Sequence, residues 1–383
     1  MLVCAFIFIS LVLAKKHSKL PVVLFYYFTT LLLITAFVLE GVEAAYQVST
    51  KPSDSHLYHS TFLLDLEEMH TQLFFHYPYF IKLLILPFSS AYFALVGQSA
   101  VIVTLLLLIL KKSNNFIYGF ILLNHALLYT ITNFFKDNLF IIIFLSCIFL
   151  LGTLKGKFLK ALTIFTCILL ATKIRPFIGL FTPLAALPYY FSIKNQTLKN
   201  VALLLIGSMV SIIIFINWSL ISYVLNNWSD DASVGSEGFS ILSPLKVILG
   251  PTPFHYFYFE KHFVQPFITF QAWILTFFHY FYYAIASVFF TKVLLNIKLF
   301  IKEINSNLAA IFSFSLGFGV FIVYMLAYGS ADIRQRAIII LFVALPFFIC
   351  RSSVKIFSSF NRMEVIYSFL FFNFFFLVSV MSI

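Results

Sequence analysis

Long stretches of this chain carry no charged residue and do not alternate between apolar and polar positions. Val201 to Ile216 and Ile338 to Ile349 are two of them. A strand of a membrane barrel alternates faces along its length, whereas a spanning helix reads as a continuous apolar run. Backbone groups in lipid must be satisfied internally, which leaves helices as the fitting choice here. Composition agrees. The chain is 62% hydrophobic and 10% charged, with a mean hydropathy of +1.00, against roughly 25% charged residues in a soluble domain. Too few charges remain to cover a water-facing surface. The expected class is therefore an all-α polytopic membrane protein, one transmembrane domain over 1–383, with lipid as its main solvent.

The spans expected from the apolar runs are roughly 1–14, 20–40, 90–110, 115–132, 139–154, 158–173, 176–192, 200–225, 266–291, 308–328, 337–350 and 364–382, or about 11–12 helices. The first apolar stretch lacks a basic leader and a cleavage site, so it reads as a retained span. The four cysteines, Cys4, Cys147, Cys167 and Cys350, lie in or beside apolar runs and form no CxxC pair. They read as small buried residues rather than as a disulfide framework or a zinc site.

Lysine and arginine placement gives an orientation. With the link Lys15–Lys19 on the cytoplasmic side, strict alternation gathers Lys111, Lys112, Lys155, Lys157, Lys160, Lys194, Lys199, Lys292, Lys298, Lys302, Arg351, Lys355 and Arg362 on that same side. These are most of the 25 basic residues, and only Glu303 and Glu364 of the 14 acids join them. The formal charge of +11 thereby becomes an orientation signal, and no nucleic-acid partner is implied. Two longer polar loops, 41–80 and 226–265, fall on the opposite side.

The basic residues on that opposite side are not explained by orientation. Lys136 and Asp137 sit in Asn133-Phe-Phe-Lys136-Asp137-Asn138. Lys173 and Arg175 sit in Thr172-Lys173-Ile-Arg175-Pro176. Asp332, Arg334 and Arg336 sit in Ser330-Ala-Asp332-Ile-Arg334-Gln-Arg336. Ionisable residues near membrane depth are costly and tend to face cavities or pair with one another. Pro176 removes a backbone N–H, so a helix breaks or restarts beside Arg175, and a restarting helix offers free N–H groups to an anion. Guanidinium forks match phosphate oxygens, so Arg175, Arg334 and Arg336 form a candidate diphosphate clamp. The competing explanation is interfacial anchoring by snorkelling side chains, or ion pairs such as Lys136 with Asp137 and Asp332 with Arg336.

The first polar loop adds candidate general bases. Asp54, His56 and His59 lie in Asp54-Ser-His56-Leu-Tyr-His59, with Asp65, Glu67, Glu68, His70 and His76 beyond. A carboxylate or imidazole there suits proton abstraction, while the histidine spacing matches no zinc pattern, so no metal is expected. The second loop carries Gly250-Pro251-Thr-Pro253-Phe-His255-Tyr256, a rigid turn followed by aromatics. His255 and its neighbours suit stacking on a sugar, or an interfacial aromatic belt. There is no Walker A motif, hence no ATP-driven pump in this chain. His125 and His279 are the main ionisable groups deep within apolar runs, and midplane carboxylates typical of ion-coupled carriers are missing from those runs.

Three of these motifs carry a resemblance. Asp54-Ser-His56-Leu-Tyr58-His59, Lys136-Asp137-Asn138 with the later Thr172-Lys173-Ile-Arg175-Pro176, and Asp332-Ile-Arg334-Gln-Arg336 resemble, in layout, the GT-C-like membrane glycosyltransferases. With them come the O-antigen and capsule repeat-unit polymerases of the Wzy type. The resemblance implies a GT-C-like helical bundle in a bacterial inner membrane, with its active site facing the periplasm. It implies a donor glycan on undecaprenyl diphosphate, no cofactor, and a flippase and a chain-length regulator as further partners. Asp54, His56 or His59 would take the acceptor proton. Arg175, Arg334 and Arg336 would hold the leaving diphosphate, with Lys173, Lys136, Asp137, Asp332 and His255 around the substrate. The other readings are a flippase or transporter of a lipid-linked oligosaccharide, a single-sugar transferase using a polyprenyl phosphate, and a non-catalytic subunit or acyltransferase-like protein. The last would place its catalytic histidine at His125 or His279.

Overall fold

We describe the chain from a computed structural model over residues 2–44, 90–111, 113–174, 268–328, 333–359 and 361–381, with a few single positions between 200 and 248. Among the described residues every regular element is a helix. In chain order these are α1 (Leu2–Lys16), α2 (Leu20–Ala44), α3 (Ala91–Ile109), α4 (Asn115–Leu122), α5 (His125–Thr132), α6 (Asp137–Thr153) and α7 (Lys157–Ile174). Then follow α8 (Ile268–Leu295), α9 (Ile297–Asn305), α10 (Leu308–Tyr328), α11 (Ile333–Ile349), α12 (Ser353–Ile356) and α13 (Arg362–Met381). The chain is an all-α polytopic membrane protein.

Every expected span that falls on described residues meets a helix, while 176–192 and nearly all of 200–225 lie outside them. Three of the described helices are long and apolar enough to cross a membrane alone: Leu20–Val38, Ala91–Ile109 and Phe270–Leu295. The number rises to five if α5 with α6 and α9 with α10, bent by 113° and 111°, each form one broken span. Others, such as α1 with 15 residues and α11 with 17, are shorter than the ~20 residues of a perpendicular span. One expectation needs correcting. The run 115–132 is not one helix but two, α4 and α5, broken at Leu123 and Asn124. The Asn124 side chain accepts the N–H groups of Ala126 and Leu127 at 2.9 and 3.2 Å. It thus satisfies donors that the break would leave unpaired away from water.

The described helices fall into two compact units. The first comprises Met1–Ile142, Pro251–Leu295 and Val354–Ile383, and the second Ile143–Gly250 and Asn296–Ser353. In the first unit α1 packs on α3 and α8 on α13. Gly97 lets α1 approach, since a Cβ there would meet Val3 Cγ2 at 2.7 Å. Hydroxyl pairs tie the helices across the apolar interior: Tyr26 with Ser99 at 2.8 Å and Tyr27 with Ser10 at 2.7 Å. Lipid tails are as apolar as leucine, so close packing and such hydrogen bonds drive association here.

The α1–α2 link closes through a Schellman turn. Lys19 N–H reaches the Ala14 carbonyl at 2.7 Å and Ser18 N–H reaches that of Lys15 at 3.1 Å. Ser18 sits at the left-handed position with φ of 57°, where glycine is the usual occupant.

Several basic links gather at one end of this unit. Lys19 donates to Asn115 Oδ1 at 3.1 Å and lies 5.8 Å from the Tyr118 ring centroid. Phe116 stacks on Phe357, which stacks on Phe289. One turn beyond Phe289, Lys292 pairs with Glu364 at 2.7 Å and donates to the Ser359 carbonyl. Glu364 also accepts the Asn361 N–H at 2.9 Å, while its own N–H donates to Asn361 Oδ1 at 2.8 Å. That is a capping box opening α13, with a lysine added to its carboxylate.

In the second unit α10 and α11 form the main pair. Pro346 lies inside α11 and has no N–H for the carbonyl four residues earlier. That carbonyl belongs to Phe342, and it accepts the Ser313 hydroxyl of α10 at 2.9 Å. One turn along α10, a Cβ on Gly317 would meet Val343 N at 2.7 Å and Phe342 C at 2.8 Å. The backbones are therefore in close contact where α11 needs an outside donor. Phe144, Phe312 and Phe342 fill the space around the crossing.

Candidate functional site

The turn between α5 and α6 is polar and sealed. Asn133, Asp137 and Asn138 are all buried, the last two fully. The carbonyls that end α5 have no intrahelical donors, and side-chain amides take their place. Asn133 Nδ2 donates to the Tyr129 carbonyl at 2.7 Å, Asn138 Nδ2 to that of Thr130 at 2.9 Å, and Gln98 Nε2 to that of Ile131 at 3.0 Å. Asn138 Nδ2 also reaches the Asn133 carbonyl at 3.1 Å. Asp137 opens α6, where the helix dipole favours a carboxylate. Lys136 beside it is half-buried. The turn thus holds a carboxylate and a cation on a frame of amides. Gln98, Asn133 and Asn138 were not expected as its framework. Their only signal in sequence is that amides are scarce in such apolar runs.

The second group is at the start of α11, in the other unit. Arg334 is half-buried, whereas Gln335 and Arg336 are buried, with Arg336 only 5% exposed. A snorkelling anchor keeps its charged head in contact with water or headgroups. Arg336 does not have that exposure, so its guanidinium lies within the protein. Buried guanidinium groups need acceptors and attract anions.

The remaining expected residues stand as follows. Lys173 falls at the end of α7, and its side chain is outside the described residues, as are Arg175 and Asp332. Asp54, His56 and His59 of the first polar loop and His255 of the second also lie outside them. Of the expected set, Lys136 with Asp137 share the α5–α6 turn, and Arg334 with Arg336 share the first turn of α11. No group of three or more His, Cys, Asp or Glu arranged to hold a metal occurs among the described residues. Compared with protein-family models, curated protein sequences and solved structures, the chain matches none of them.

Proposed function

We propose that this protein transfers or polymerises glycans carried on undecaprenyl diphosphate, with its site on the membrane face opposite the basic links. The observation that carries the reading is Arg336, a charged side chain buried at the mouth of an apolar helix, two residues from Arg334. Ionisable groups at such positions are costly and usually functional. The chemistry asks for two things, an activated acceptor hydroxyl and stabilisation of a departing diphosphate. Asp54, or His56 or His59 beside it, takes the acceptor proton. Arg334 and Arg336, with Arg175, neutralise the diphosphate as the glycosidic C–O bond breaks and charge develops on its oxygen. No nucleotide is required, since the lipid diphosphate is itself the leaving group.

Complementation tests the reading. A strain lacking the gene is expected to lose long surface polysaccharide chains while keeping a single capped unit on a gel. Arg334→Ala and Arg336→Ala proteins, present at normal membrane levels, are expected not to restore the ladder. A full ladder from both variants makes the arginines structural anchors. A deletion strain with no glycan unit at all places the protein earlier, as a flippase or a sugar transferase.

A further inference from the structure

The short helix α9 is amphipathic, and the protein covers only part of its apolar side. Ile297, Phe300, Ile301 and Ile304 recur at the spacing of one helical stripe, while Lys298 and Lys302, four apart, share another side. Phe300 and Ile304 are buried, and the Phe300 ring stands edge-on to Phe347 of α11 at 5.4 Å. Ile297 and Ile301 of the same stripe are 36% and 51% exposed, and both lysines are exposed. Glu303, the acid of this helix, is turned to the end of α11, where it accepts the Ser352 N–H at 3.2 Å. The outer surface of α9 is therefore an apolar edge beside two cations. Arg351, next to Ser352, is exposed at the same end of α11.

The corner between α9 and α10 fixes how this surface is presented. The two helices are bent by 111°, close to a right angle. Asn307 holds the corner. Its Oδ1 accepts the N–H groups of Ala309 and Ala310 at 3.1 and 3.4 Å, and its own N–H donates to the Ile304 carbonyl at 2.9 Å. One residue thus closes α9 and caps α10. α10 has 21 residues, enough to cross the hydrocarbon layer unaided at ~20 residues per span. With α10 across the bilayer, α9 lies along its surface.

We infer that α9 is an interfacial helix that docks on the anionic phospholipid headgroups of the leaflet at its end of α10. Ile297 and Ile301 enter the upper acyl layer, and Lys298 and Lys302 extend to lipid phosphates. Burying α9 in the hydrocarbon would strand both lysines there, and turning it to water would leave the isoleucine edge uncovered. Charge selects the lipid class, because the lysines face outward and the one acid of the helix is held on the protein side. Leu299, also exposed, lies outside the stripe, and the docking does not use it.

The test is tryptophan quenching by brominated lipids on the full chain carrying Ile301→Trp, in vesicles of phosphatidylcholine and phosphatidylglycerol. The difference from wild type isolates the new indole from the native tryptophans. Bromines are carried by one lipid at a time, near either the headgroup end or the methyl end of its acyl chain. Quenching is expected to be stronger from the headgroup end. It is also expected at a several-fold lower mole fraction of brominated phosphatidylglycerol than of brominated phosphatidylcholine. Adding Lys298→Gln and Lys302→Gln should abolish that preference and leave the depth unchanged. All three positions are exposed, so the substitutions disturb no packing. Weak quenching by both lipids would mean that α9 faces water or is covered by protein. Stronger quenching from the methyl end would make α9 part of a broken span. Equal quenching by the two lipids, or a preference that survives loss of the lysines, would remove the headgroup recognition. Each of these results overturns the inference.

Discussion

The α8–α13 and α10–α11 pairs face the same apolar surroundings and are held together by opposite means. α8 and α13 are joined by charge. Lys292, 1% exposed at its side chain, meets Glu364, which also caps α13, and Thr291 meets Ser368 at 3.3 Å. α10 and α11 are joined by backbone approach. Gly317 admits the facing chain, and one hydroxyl from Ser313 answers the carbonyl that Pro346 leaves free. The difference shows where each pair is vulnerable. A buried ion pair fails when one partner is lost, because the other charge remains buried and uncompensated. A close backbone crossing fails when volume is added.

The largest effect is expected from breaking the ion pair on one side. Lys292→Ala should cost about 3–5 kcal/mol, read as a loss of thermal stability in detergent. Lys292→Met with Glu364→Leu should recover most of that loss, because an apolar pair of similar volume is near neutral. A double variant as poor as the single would mean that the capping role of Glu364 outweighs the ion pair. Next comes Gly317→Ala, whose methyl meets backbone rather than a flexible side chain. A loss of about 1–3 kcal/mol is expected, and unchanged stability would show that the helices slide apart freely. Ser313→Ala is smaller, about 0.6–1.7 kcal/mol by the scale of hydrogen bonds between membrane helices.

At the α1–α2 link the sign reverses. Ser18→Gly relieves a left-handed residue and should stabilise by about 1 kcal/mol. The same link supplies a weak pH dependence. Burial, then Lys16, Lys111 and Lys19, hold His17 below its ordinary value of 6.5. The unfolded chain therefore takes up this proton first. Stability is full above about pH 6.5, falls as pH drops, and levels off below the lowered folded value. His17→Asn should remove this small component and leave the rest of the pH profile in place.

Much of the fold was legible because lipid imposes few choices. Uncharged runs had to be helices, and within the first unit Lys19 meets Asn115, Phe116 meets Phe357, Phe357 meets Phe289, and Lys292 meets Glu364. The break at Asn124 was less visible, although an asparagine before His-Ala-Leu-Leu is an ordinary capping signal. In so apolar a context the run reads through it. The Asn361-Arg-Met-Glu364 spacing of the capping box was present in the sequence, but nothing local announced that Lys292 would join it. The Ser313–Phe342 bond and the stacking of His125 on His279 at 3.7 Å depend on which helices face each other, and hydropathy does not encode helix pairing. Of the candidate site, Arg334 and Arg336 could be singled out as charges without an orientation role. Their unequal burial required the packing of α11.

The most direct test of the proposed activity is reconstitution. Purified protein in proteoliposomes is given an undecaprenyl-diphosphate-linked oligosaccharide, and the lipid and glycan products are resolved by mass spectrometry. The account predicts longer glycans together with released undecaprenyl diphosphate, and loss of both products with Arg336→Ala protein that is folded and inserted. Donor that crosses the bilayer unchanged, or that stays intact in the presence of the wild-type protein, would contradict it.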